Sequence, residues 1–161
     1  MQLNMWFILA AGLVPLLTGF IWYHPKVFGN TWMRSAGMTE ESMKGANMAL
    51  IFGLCYVFGC VLAMGLMPVV IHQLGFNSVF QGDNNPDSAT YVKNFFDNYG
   101  HRFRTFKHGA LHGALTGVFI ALPVLGTCAL FERKGFKYIA VHAGYWILTL
   151  ALMGGVICAF M

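Results

Sequence analysis

His108, His112 and Thr116 recur every four residues, a spacing that lines them along one stripe of a helix. Two imidazoles in an H-x-x-x-H pair can reach one metal ion. The glutamate of the H-E-x-x-H pattern is missing, because Gly109, Ala110 and Leu111 fill the gap, so a hydrolytic zinc site is unsupported. Non-hydrolytic metal or haem ligation stays open, with His72 and His101 as further ligands on the same side. The competing reading is a set of hydrogen-bonded histidines at headgroup depth. On the sequence alone no metal and no cofactor is assigned, and bound lipid is the small-molecule companion to expect.

Beside that stripe Gly109, Gly113 and Gly117 repeat at spacing four, flanked by Ala110 and Ala114. Small residues let two backbones approach closely, which matters in lipid because no hydrophobic effect drives helices together there. The pattern predicts a helix-packing face and leaves open whether the partner helix belongs to the same chain. His142 is separate. Counting along two antiparallel helices puts it about 20 Å from His112 at 1.5 Å per residue, too far to share an ion. Its expected partners are His24, Tyr23 or Tyr145, since a buried polar ring needs a hydrogen bond to offset its desolvation.

The elements that carry these residues follow from where charge is absent. Leu3–Tyr23, Gly45–Leu74, His108–Phe131 and Tyr138–Met161 contain no Asp, Glu, Lys or Arg. A hydrocarbon core of about 30 Å takes about 20 apolar residues as a helix. Backbone amides in lipid must bond internally, so spans are helices or closed barrels, and runs such as Ile8–Leu17 lack the alternation of barrel strands. The composition, 57% hydrophobic and 10% charged, leaves too little polar surface for a soluble globule. The expected fold is an all-α integral membrane protein. Its four transmembrane helices, at about 3–23, 46–74, 108–131 and 137–160, form one bundle and one domain over 1–161. The first stretch reads as a span and not a signal peptide, because its first cation, Lys26, follows the apolar run and no small-residue cleavage site surrounds Trp22–Pro25.

The net charge of +4 flanks the spans, which points to membrane lipids and away from nucleic acid. Lys26, Arg34, Lys44, Arg133, Lys134 and Lys137 on one side outnumber Lys93, Arg102, Arg104 and Lys107 on the other, six to four. The positive-inside rule then puts the first and third loops in the cytoplasm, and both termini with the long loop 75–107 outside. In the first loop Phe28, Trp32 and Met33 suit a short segment lying in the interface, ended by Gly37. Thr39 caps the next helix, with Glu40 and Glu41 in its first turn. Run unbroken from Glu40 to Leu74, that helix would be about 52 Å long and would need tilt, a bend near Pro68 or a protruding end. In loop 75–107, Asp87 or Ser88 caps an amphipathic helix to Tyr99, stopped by Gly100, with Tyr91, Val92, Phe95, Phe96 and Tyr99 on one face.

No span carries an acidic or basic residue near its centre, which argues against a proton-coupled pump. No Ser-His-Asp arrangement is present, and Asp83, Asp87 and Asp97 read as solvated turn residues. Cys55, Cys60, Cys128 and Cys158 sit inside spans without a C-x-x-C pair and read as small apolar residues.

Trp22, Tyr23, Pro25, Phe28, Gly29, Trp32 and Gly37 form the string W-Y-x-P-x-x-F-G-x-x-W-x-x-x-x-G. It resembles the signature of a bacterial four-span membrane family known as domain of unknown function 1761. The resemblance implies a multi-pass protein of the bacterial inner membrane and brings no activity. Physically, the aromatic residues set the depth of the first helix end, while Pro25 and Gly29 shape the reversal. The same cluster could alternatively line a groove for a lipid or quinone headgroup. The expected role is therefore a non-catalytic accessory or structural subunit of a membrane assembly or homo-oligomer. The alternative is a small oligomeric carrier or channel for a solute or metal ion, with His108, His112 and Thr116 along its path.

Overall fold

The computed structural model describes residues 4–161, so the predicted start at Leu3 lies outside the described residues. The regular elements among the described residues are all helices, with no strand among them. Three helices are long and apolar enough to cross a membrane: Met48–Val70, Phe106–Phe131 and Phe136–Phe160. A fourth crossing exists if the pair Trp6–Trp22 and Pro25–Ala36, bent by 58°, counts as one broken span.

The first segment comprises α1 (Trp6–Gly12) and α2 (Val14–Trp22), separated at Leu13. Pro15 has no amide proton to continue the ladder, and its fixed φ suits the first turn of α2. After Tyr23 the chain turns sharply. His24 is extended and its Nδ1 accepts the Lys26 amide at 3.2 Å, opening a π-helical turn over Pro25–Gly29. Gly29 is required there, because a Cβ would collide with the Tyr23 carbonyl oxygen. Helix α3 (Asn30–Ala36) ends at Gly37, whose φ of 74° favours glycine.

The predicted unbroken helix from Glu40 to Leu74 is corrected to three pieces. Thr39 caps as expected, in a reciprocal bond with Ser42, but α4 (Glu40–Met43) is a single turn. Gly45 at φ 85° breaks the chain, and Asn47 caps α5 (Met48–Val70) by accepting the Leu50 amide at 3.1 Å. At the far end Ile71 leaves helical geometry and α6 (His72–Val79) departs in a new direction. The β-branched run Val69–Val70–Ile71 after Pro68 has low helix propensity, and Ile71 is fully buried at the junction.

Helix α7 (Ser88–Tyr99) has the predicted bounds, although Asp87 makes no capping bond and the Ser88 hydroxyl turns to Asp83, and its aromatic face packs on α6. The Phe95 ring stacks on Phe76 at 3.6 Å, and Phe96 and Phe80 complete the cluster. The next long helix starts at Phe106, capped by Thr105, and runs as α8 (Phe106–Thr116), a π-helical turn (Gly117–Ala121) and α9 (Leu122–Phe131). Pro123 cannot donate to the Phe119 carbonyl, so the ladder shifts register just before it. The last helix, α10 (Phe136–Phe160), is central: half of its most apolar window is buried, against 17% for α5 and 11% for Phe106–Phe131.

The glycine face finds its partner inside the chain. A Cβ on Gly109 or Gly113 would overlap the backbone oxygens of Gly154 and Leu150, and one on Gly117 would lie 2.6 Å from Ile147 Cα. Helices α8 and α10 therefore touch backbone to backbone along three turns. All four cysteines are free thiols, as the sequence predicts.

Candidate metal centre

The junction at Ile71 decides the site. By ending α5 at Val70, two residues before His72, it turns that side chain towards α8, where His108 and His112 share a face. His72 Nε2 lies 2.9 Å from His108 Nε2, close enough for one ring to donate to the other. Ring centroids are 5.0 Å apart for His72–His108, 4.7 Å for His72–His112 and 4.5 Å for His108–His112. One nitrogen from each ring lies within 4.8 Å of the others. Tetrahedral coordination with metal–nitrogen bonds of about 2.0–2.1 Å needs nitrogens about 3.4 Å apart, so side-chain adjustments of about an ångström would close the site.

His72 is exposed and the other two imidazoles are half-buried, so an ion can enter from the surface. Around them the chain is fixed by groups that the sequence did not single out. Gln73 is buried, and its Nε2 donates to the Tyr99 and Arg102 carbonyls at 3.1 and 2.8 Å, tying the end of α7 to α6. Phe103 stacks on His108 at 4.9 Å with its ring nearly parallel. It does so from a left-handed backbone, φ 64°, a conformation that costs a phenylalanine about 1–3 kcal/mol. The Arg102 guanidinium sits over the Phe103 and Tyr99 rings at 5.1 and 5.7 Å. Gln73 could have been noticed as a polar amide beside His72 at the end of an apolar stretch; nothing in the sequence marks Phe103.

The other candidates separate from this cluster. Thr116 donates to the His112 carbonyl at 2.8 Å, so its hydroxyl serves its own helix, and His101 is not in the three-histidine group. His142 pairs with Tyr23, whose hydroxyl is 3.1 Å from Nδ1, while its Nε2 is buried without a partner. His24 turns instead to the Lys26 amide, and Tyr145 donates to the Pro15 carbonyl at 2.8 Å. The hydroxyls of Thr18 and Thr149 meet at 2.7 Å nearby, a buried polar contact between α2 and α10. Tyr145 and Thr149, four apart, were its available signal.

The aromatic string assembles on itself and on α10. Trp22 packs on Phe28 at 4.5 Å, Tyr23 meets the edge of Trp32 at 5.5 Å, and the Trp22 indole donates to the Val141 carbonyl at 3.0 Å. Gly144 makes room for that indole: its Cβ would lie 2.9 Å from the ring. Pro25 and Gly29 form the π-helical turn that folds the string back.

An all-helical chain with three apolar helices of membrane length, crossed by few charges, defines a class compatible with integral membrane proteins. Within it, the chain belongs to the family described as protein of unknown function (DUF1761), whose model matches residues 6–158. That match includes all three histidines of the cluster. No curated protein and no solved structure matches the chain.

Proposed function

We propose that this protein is a non-catalytic, four-span protein of the bacterial cytoplasmic membrane that captures a divalent transition-metal ion through His72, His108 and His112. The observation that carries the reading is the convergence of the three imidazoles within 4.8 Å, from two separate helices. Imidazole suits zinc, copper and nickel, and three such ligands leave a position open for exchange. The site lies at the start of α6, just past α5, and in the first two turns of the Phe106–Phe131 helix and not at its middle, which favours capture at the surface over a conducting path. By the excess of cations in the first and third loops, that surface and both termini face outward.

The Gly109–Gly113–Gly117 face motivates an oligomer in the sequence, but α10 occupies it. A second copy or other subunit would meet another exposed apolar face, such as that of α5 with Leu54, Phe58 and Val61 or that of α2 with Leu17, Phe20 and Ile21.

The test is metal analysis of the full chain in lipid nanodiscs, purified without a histidine tag and equilibrated with zinc. One equivalent should remain bound after exchange, and His72→Ala and His112→Ala should each release it. Wild type free of metal, or a triple alanine variant that retains it, overturns the assignment. Native mass spectrometry of the same sample reads the number of chains.

A further inference from the structure

Next to the three histidines lies a cleft of about 340 Å³ lined by His72, Gln73, Phe95, Tyr99, Arg102 and Phe103. Three neutral imidazoles would leave the full double charge of the ion uncompensated. The one charged side chain among the lining residues is Arg102, another cation. No carboxylate is among the lining residues, so an anion entering from outside would balance the two positive centres. Its body must lie among aromatic rings, because Phe95, Tyr99 and Phe103 form the walls. Phe103 touches both groups: its ring stacks on His108 and lies under the Arg102 guanidinium. Gln73 holds the same loop by the Arg102 carbonyl, so the guanidinium is presented by a fixed backbone.

We infer that this cleft binds a small aromatic carboxylate, whose oxygens take the open position on the metal and pair with Arg102 while its ring packs among the aromatic side chains that line the cleft. The inference rests on the metal reading above and names the class of ligand that site would accept. Carboxylate fits a planar guanidinium in a two-point contact, and flat rings stack on the aromatic walls without displacing the loop.

Cobalt(II) serves as the probe, because its visible spectrum reports both its binding and the entry of a further ligand. Nanodisc-embedded protein is first titrated with cobalt alone, then the loaded protein is titrated with benzoate and, separately, with acetate. Benzoate should alter the spectrum with a dissociation constant at least tenfold below that of acetate. Arg102→Gln should keep one cobalt per chain and weaken benzoate at least tenfold. Phe103→Gly relieves the left-handed backbone while deleting the ring, so the chain folds and its preference for benzoate over acetate should collapse. If cobalt binds but benzoate leaves the spectrum unchanged, matches acetate, or is indifferent to Arg102→Gln, the ligand inference is wrong and the metal site stands. If cobalt fails to bind wild type, both fall together, and the first titration alone reveals it.

Discussion

The thiol of Cys158 lies 3.3 Å from the carbonyl oxygen of Val70, and it also faces the Phe103 carbonyl at 3.4 Å. Those two carbonyls belong to the two irregular junctions of the site, the end of α5 before His72 and the loop before His108. One side chain on α10 thus ties together the segments that carry the imidazoles. Cys158→Ala should leave the helices intact but loosen both junctions, lowering zinc affinity several-fold and stability by about 1 kcal/mol. Equilibrium dialysis against zinc, with unfolding in nanodiscs as the control, reads the two effects separately. A variant with unchanged affinity would mean that the junctions hold themselves.

Thr18 and Thr149 meet inside the protein at 2.7 Å, each completely or nearly buried. The Thr18 hydroxyl also reaches the Val14 carbonyl at 2.8 Å, so it keeps a backbone partner if Thr149 is lost. A double-mutant cycle with Thr18→Ala and Thr149→Ala should therefore give a coupling of only about 0.6 kcal/mol. Steric-trap or denaturant unfolding of the four proteins measures it. A coupling near zero would show that the two hydroxyls bond only to their own helices.

Asp83 supplies a pH dependence outside the membrane segments. The Ser88 hydroxyl donates to its carboxylate, as does the Asn85 amide at 3.0 Å, and these bonds hold its pKa below the ordinary aspartate value. The folded loop therefore draws stability from Asp83 above the ordinary carboxylate range and loses it as the pH falls through the lowered value. Carbon-13 NMR of the Asp83 carboxyl should titrate below a free aspartate, and Ser88→Ala should move the midpoint up. Equal midpoints in wild type and variant would remove Ser88 as the cause.

The sequence makes the long helices legible, because charge-free stretches of about 20 residues have few other uses. The α7 bounds were equally plain from Asp87, Ser88 and Gly100. Gly45 and Asn47 could have located the break before α5, since one tolerates positive φ and the other is a preferred cap. Thr39, followed by Glu40 and Glu41, has the full signature of a helix start, yet it caps only a single turn. The junction at Ile71 is different. No glycine or turn residue marks it, and its Val70 carbonyl is satisfied by Cys158, 88 residues away. The sequence names His72 beside His108 and His112 as a ligand on the same side, and the three do converge, but the junction that brings His72 within reach of His108 is not marked in it. Phe103 is hidden for the same reason, as aromatic residues rarely adopt left-handed backbone and tertiary contacts impose it here.

Helix α8 positions two of the three imidazoles, and its own position is set by glycines that admit no side chain. At Gly113 an added methyl would run into the Leu150 carbonyl, which belongs to the α10 backbone and cannot rotate away. Gly113→Ala should therefore push the helices apart and cost about 1–3 kcal/mol, the usual range for overpacking. Gly126, lower on the same span, is the control. A methyl there meets only the Ile139 side chain at 3.8 Å, an ordinary contact, and Gly126→Ala should hold or gain up to about 1 kcal/mol through helix propensity. Gly109→Ala joins packing to site, because its methyl would press on Cys158 and the Gly154 oxygen beside His108. It should lose both stability and at least tenfold in zinc affinity, whereas Gly126→Ala should lose neither. Thermal unfolding and zinc titration of the three variants in nanodiscs test the pattern. If Gly113→Ala proves as stable as wild type, the close contact of α8 with α10 is wrong, and the placement of His108 and His112 goes with it.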